Sequence, residues 1–184
     1  APPAGRAAIR ACLDLLPWRY DETKEGFVIK NQQLLTYLRP LGKALDKRVP
    51  DEIRHMSARQ IRLFLDALLL GDGSVSSSGS RALFTSSDQV RDDVQELALK
   101  AGWSANCYPH TYAGDTHVWH GRTFRTNKDT WRLGIVRAKN QPMVNHGHTE
   151  EQDGQLETLV HYKGTVHCCT VPNHVIYVRR NGKP

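Results

Sequence analysis

The stretch SARQIRLFLDALLLGDGS, residues 57–74, reads as one helix with a marked start and stop. Ser57 and Gln60 stand at capping-box spacing, so each can satisfy a free backbone donor of the first turn. Ile61, Phe64, Leu65, Leu68 and Leu69 follow at i, i+3, i+4, i+7 and i+8, an apolar stripe along one helical face. Leu63, Ala67 and Leu70 widen the stripe, which predicts a helix buried on more than one side. Gly71-Asp72-Gly73 ends it. Small residues around an acid let two such helices pack closely, with their carboxylates side by side at the helix ends. Paired carboxylates suit a hard divalent ion such as Mg²⁺, which prefers oxygen ligands and can activate water for phosphodiester hydrolysis. Taken alone, Gly-Asp-Gly fits an ordinary core helix closing in a turn equally well.

Upstream, Ile9, Leu13 and Leu16 have helical spacing over residues 4–16, and Pro17 interrupts it. Residues 18–29 predict a hairpin around the polar turn DETKEG, and residues 31–42 a second helix closed by Pro40 and Gly42. Downstream, residues 74–87 pass from a Ser/Gly-rich turn into the strand-like RALFTSS. A helix is predicted from a capping box at Ser86 and Gln89, with Val90, Val94, Leu97 and Ala101 facing inward and Gly102 as its stop. Extended segments follow at 103–112, 118–126 and 130–136. In the last, Trp131, Leu133 and Ile135 alternate with Arg132 and Gly134, as in a half-buried strand. The polar run NQPMVNHGHTEEQDG, residues 140–154, predicts a boundary, and beyond it 166–171 and 175–178 read as β-rich.

The 184 residues have a net charge of +6 and contain no apolar run long enough to cross a membrane, and the first residues lack a signal peptide's order of features. A soluble, cytoplasmic protein is expected. The charge is unevenly spread. Arg122, Arg125, Lys128, Arg132, Arg137 and Lys139 face one acid, Asp129, across residues 122–139, beside Trp119, Phe124 and Trp131. Such a stretch suits a double-stranded DNA surface, or a solvated sheet face. The cysteines, Cys12, Cys107, Cys168 and Cys169, form no CxxC pair, which argues against a zinc site and for reduced thiols.

The string LFLDALLLGDGS resembles the LAGLIDADG motif of homing endonucleases, with Asp72 at the catalytic acidic position. The predicted order after it, strands, helix, strands, is also that family's. The resemblance implies an α+β architecture built on αββαββα repeats, a sheet saddling the DNA major groove, and Mg²⁺ as cofactor. The preceding KALDKRVPDEIRHMSARQIRLFL is similar to the linker into the second repeat of intein-borne members. On that comparison residues 1–47 are the tail of a first repeat and residues 48–145 the second. One catalytic Asp is half a site. The partner carboxylate would come from an N-terminal piece before Ala1 or from a second copy through the 58–72 helix; failing both, cleavage is lost. Lys139 is the candidate for the basic residue that assists such chemistry, or else a phosphate contact. Arg122, Arg125, Lys128, Arg132 and Arg137 would contact the DNA backbone.

GTVHCCTVPNHVIYVRRNGKP, residues 164–184, resembles intein block F, with Thr170-Val171 in its strand and His174 at its histidine. It is especially similar to phage terminase-type inteins, a resemblance that implies a bacterial or phage-infected cell. Cys168 stands where most inteins have Asp, as in class 3 inteins, where it is the first nucleophile. His167 and His174 are the nearby groups that could raise its thiolate fraction. The alternative is that Cys168 and Cys169 are small buried apolar residues, and Cys169 is assigned that structural role. Residues 146–184 are thus expected to be the C-terminal segment of a Hint (splicing) domain, partnered by an N-terminal intein fragment. Without that fragment and a terminal Asn, splicing is not expected. A C-terminal half of a split intein, its endonuclease region degenerate and serving only association, is the alternative.

Overall fold

The computed structural model describes residues 3–119, 121–138, 159–173, 176 and 178. The chain divides into two compact units, residues 1–140 and 141–184.

The first unit begins with a helix–hairpin–helix arrangement: α1 (Pro3–Leu13), β1 (Tyr20–Glu22), β2 (Phe27–Ile29) and α2 (Gln32–Leu38). An ion cluster fixes the hairpin to α1. Glu22 accepts hydrogen bonds from Arg10 and Arg6, at 2.7 and 3.0 Å, and the two guanidinium groups pull its carboxyl down to about 2. Two short 3₁₀ turns then lead through Gly42 to α3 (Asp51–Arg54). Only glycine fits at 42, because φ is +81° and a Cβ would lie 2.1 Å from the Asp46 carbonyl oxygen.

The core is built by the elements after α3: α4 (Ala58–Asp72), β3 (Gly73–Val75), β4 (Arg81–Thr85), α5 (Asp88–Lys100), β5 (Ser104–Thr111), β6 (Thr116–Trp119), β7 (Arg122–Arg125) and β8 (Thr130–Val136). Strands β3, β4, β8 and β5 form an antiparallel sheet in that spatial order. Strands β6 and β7 form a separate two-stranded hairpin inserted between β5 and β8. This is an α+β arrangement in the order αββαββ, with the hairpin as an extra element. Ile61, Leu65 and Leu69 of α4 and Val94, Leu97 and Ala98 of α5 pack on Leu83, Leu133, Ile135 and Ala105 of the sheet.

The capping box predicted for α4 is present: Ser57 Oγ accepts from the Gln60 N–H, and Gln60 Oε1 accepts from the Ser57 N–H. Helix α5 is capped by Ser87, not Ser86. Ser87 Oγ accepts from the Val90 N–H and donates to the Lys47 carbonyl at 2.6 Å, so a contact 40 residues away selects between the two serines. The extended run predicted at 118–126 is two strands, turned at Gly121, whose φ of +73° suits glycine.

Helix α4 is not buried on more than one side. Leu63 and Leu70 are 58 and 64 % exposed, because the sheet covers only the face that carries Ile61, Leu65 and Leu69. In the second unit the β-rich reading of 166–171 also fails, while that of 175–178 lies outside the described residues except at 176 and 178. The described residues 159–173 contain no strand, and Leu159, Val160 and Val166 lie in solvent. An extended segment becomes a strand only when a neighbouring strand takes up its N–H and C=O groups, and no described residue of this unit forms such a ladder with it.

Candidate nucleic-acid interface and carboxylate

Asp72 is the last residue of α4 and is exposed. The two glycines beside it do different things. A Cβ at Gly73 would meet the Leu69 carbonyl oxygen at 2.3 Å and Leu69 Cα at 2.8 Å, so only glycine lets β3 leave the helix end so closely. Gly71, by contrast, has no neighbour within 4 Å of an added Cβ. It lies on the same uncovered face as Leu63, Ala67 and Leu70. That face is apolar, small-residued toward its end, and finishes at a carboxylate.

A cavity of about 380 Å³ lies between the 38–50 segment and the α4–β4 layer, lined by Asp72, Phe64 and Leu68 and by Lys47 and Arg48. Two basic residues thus share a cavity with the predicted acidic residue. They were not singled out from the sequence, because they precede Asp72 by 25 and 24 positions and only the turns after α2 bring them there. Lys139 and His174 lie outside the described residues.

The opposite face of the sheet is polar and aromatic. Strand alternation places Leu83, Leu133 and Cys107 in register on the helix side, and Phe84, Arg132 and Tyr108 in register on the other. His110 lies against Phe84 with ring centroids 4.7 Å apart. Gly134, between Ala82 and Asn106 in register, leaves a gap in this face. Arg122 and Arg125 are exposed on the β6–β7 hairpin. His117 lines a cleft with Phe84, His110 and Thr130.

The five arginines and lysines assigned to DNA therefore divide. Arg122, Arg125 and Arg132 have no ion-pair partner among the described residues. Lys128 and Arg137 have partners. Lys128 Nζ lies 3.1 Å from Asp88. Arg137 pairs with Asp66 of α4 and stacks over Trp103 at 4.7 Å, on the helix side of the sheet. Burial pushes the Asp88 carboxyl up, but hydrogen bonds from Lys128 and Trp131 outweigh it and hold the group below the usual range. Elsewhere, buried Asp93 accepts from the Val49 N–H at 2.9 Å and pairs with Arg54, which ties the segment before α4 to α5.

Cys168 and Cys169 are both exposed thiols. The buried, structural role expected for Cys169 does not hold, since its side chain is exposed.

Residues 59–142 match the LAGLIDADG-like domain family. The matched span runs from the first turn of α4 through the sheet and includes Asp72 and the β6–β7 hairpin. A relative from Stigeoclonium helveticum, a DNA-directed RNA polymerase subunit beta C-terminal section, is 32 % identical over 198 aligned residues, covering 92 % of this chain and 18 % of the relative. Another, an ATP-dependent Clp protease proteolytic subunit of Chlamydomonas moewusii, is 24 % identical over 267, covering 95 % of this chain and 26 % of the relative. The chain thus spans about a fifth to a quarter of the length of these relatives.

Proposed function

We propose that the first unit is half of a LAGLIDADG homing endonuclease, cutting double-stranded DNA with Mg²⁺, and that the second belongs to the splicing module of the intein that carries it. The observation that carries the endonuclease reading is the uncovered face of α4: Leu63, Ala67, Leu70 and Gly71 leading to exposed Asp72. A second helix of this kind, from another copy or from an N-terminal segment, would bury that face and bring a second carboxylate beside the first. Burying Leu63 and Leu70 would contribute up to about 3 kcal/mol each. Mg²⁺ fits only that paired arrangement. Asp72 supplies one ligand side chain, and no group of three His, Cys, Asp or Glu residues gathers among the described residues. Plasmid cleavage in Mg²⁺, by this chain alone and with a plausible N-terminal piece, tests the reading. Asp72→Asn is expected to lower the cleavage rate by at least about a hundredfold. Undiminished cleavage by that variant removes Asp72 from the chemistry.

The intein reading draws on the relatives. One is named as an RNA polymerase subunit and the other as a protease subunit, yet each aligns with more than nine-tenths of this chain over a minor part of its own length. A segment shared by proteins so differently named is what an inserted element produces. Exposed Cys168, open to attack a carbonyl, agrees with it. A second reading, a split-intein half whose endonuclease region only associates, is favoured by the internal pairing of Lys128 and Arg137. Mixing with an N-terminal intein fragment distinguishes them: ligated product, lost in Cys168→Ala, with no DNA cleavage supports the second reading.

A further inference from the structure

The β6–β7 hairpin stands apart from the four-stranded sheet. Two strands alone are marginal in water, and Val118 on this pair is 72 % exposed. Its direction therefore depends on its stem. That stem is cross-braced: the Gly114 N–H donates to the Thr126 carbonyl, the Thr126 N–H to the Asp115 carbonyl, and the Ala113 N–H to Asp129 Oδ1, each at 2.8 Å. One connection leaves the stem for the helical layer. Asp88, at the start of α5, accepts from Trp131 Nε1 at 2.8 Å and from Arg91 at 3.1 Å, and pairs with Lys128 at 3.1 Å. The Arg91 guanidinium lies over the Trp131 ring at 4.6 Å, which holds that indole in place.

We propose that Asp88 is a positioning residue for DNA binding, acting through Lys128 and Trp131 to fix the direction of the β6–β7 hairpin. Lys128 then serves binding by closing this clamp, not by touching a phosphate. The proposal rests on the reading of the hairpin as a DNA contact. The expected sign is unusual. Removing an acid near bound DNA ordinarily tightens binding, because repulsion falls and a freed lysine can reach a phosphate. If Asp88 positions the hairpin, removing it weakens binding.

The experiment measures the affinity of the full chain for a fluorescent random-sequence duplex across a salt series, beside hydrogen exchange without DNA. Asp88→Asn and Lys128→Ala are each expected to weaken binding by roughly three- to tenfold, as suits a half-exposed ion pair with one added hydrogen bond. The salt slope should stay unchanged and the double variant should lose no more than either single one. Lys128→Arg, which keeps the pair, should restore wild-type affinity. The amides of Ala113, Gly114 and Thr126 should exchange faster in Asp88→Asn and Lys128→Ala while the unfolding midpoint holds. Tighter binding by Asp88→Asn, or a slope flattened by about 0.9 in Lys128→Ala, overturns the proposal. So does unchanged exchange at the stem, whatever the DNA result. If neither wild type nor Arg125→Ala binds the duplex, the DNA reading fails, and the exchange data still decide whether the clamp exists.

Discussion

Two uncovered faces of the first unit, one on the sheet and one on α4, are opposites. The sheet face away from the helices carries Phe84, Tyr108, Arg132 and His110, with Arg122 and Arg125 on the hairpin beside it. The uncovered face of α4 carries Leu63, Ala67, Leu70 and Gly71, with a single carboxylate at its end. Both belong to elements whose other side forms the core: Leu83, Leu133 and Ile135 for the sheet, Ile61, Leu65 and Leu69 for the helix. Core formation accounts for one side of each element and leaves the other free to vary. A basic, aromatic and hydrated face matches a charged polymer that water also solvates. Apolar side chains and a bare glycine match another packed helix. On the proposed reading, the sheet face would meet DNA and the helix face a second helix.

Variants on the buried and exposed sides measure that separation. Leu133→Ala, at a site with no exposure, should destabilise the first unit by about 2–5 kcal/mol, read as a lower urea midpoint. A loss below about 1 kcal/mol would mean that the sheet does not rest on the helices. Leu70→Ser should leave that midpoint within about 0.5 kcal/mol. It should nevertheless weaken self-association, or association with an N-terminal piece, by about 2 kcal/mol, measured by sedimentation. If Leu70→Ser unfolds the isolated chain, the face is covered in solution and the contrast disappears. Arg132→Ala should lower affinity for duplexes of any sequence by roughly tenfold and flatten the salt slope by about 0.9. An unchanged slope would move the DNA away from the sheet.

Much of this was legible in the sequence for reasons that are local. The capping box of α4, the stripe behind it and the alternation through Trp131, Leu133 and Ile135 are each set within a few residues. Which side of α4 stays open was not legible. Leu63 and Leu65 are equally apolar, and only the position of the sheet decides that Leu65 is buried and Leu63 exposed. The same limit applied to charge. Arg132 and Arg137 look alike by sequence, but Arg137 meets an acid 71 residues earlier on α4. The spacing to Gln89 predicts Ser86 as the cap of α5, but Ser87 takes that place because its hydroxyl also donates to the Lys47 carbonyl in the linker. The sequence reading assigns Cys169 a structural, buried role, yet it is exposed like Cys168.

Acid should act on the Asp88–Lys128–Trp131 network and spare the open face of α4, and this is the smallest effect expected. Asp88 titrates below its ordinary value in the folded chain, because hydrogen bonds from Lys128 and Trp131 outweigh the effect of burial. A carboxyl lowered on folding contributes stability above its unfolded pKa of about 4 and loses it as the pH falls through the folded value. The group is half exposed, so solvent screening limits the global loss to about 0.5 kcal/mol. The local consequence should be clearer. As the pH falls below about 4, the indole N–H resonance of Trp131 should shift as its acceptor is protonated, while the methyl resonances of Leu63 and Leu70 stay fixed. In Asp88→Asn the Trp131 resonance should no longer titrate in that range. If it titrates as before, another acid governs the indole. If the leucine methyls move with it, the Asp88 network is coupled to the open face of α4 and the two do not act separately.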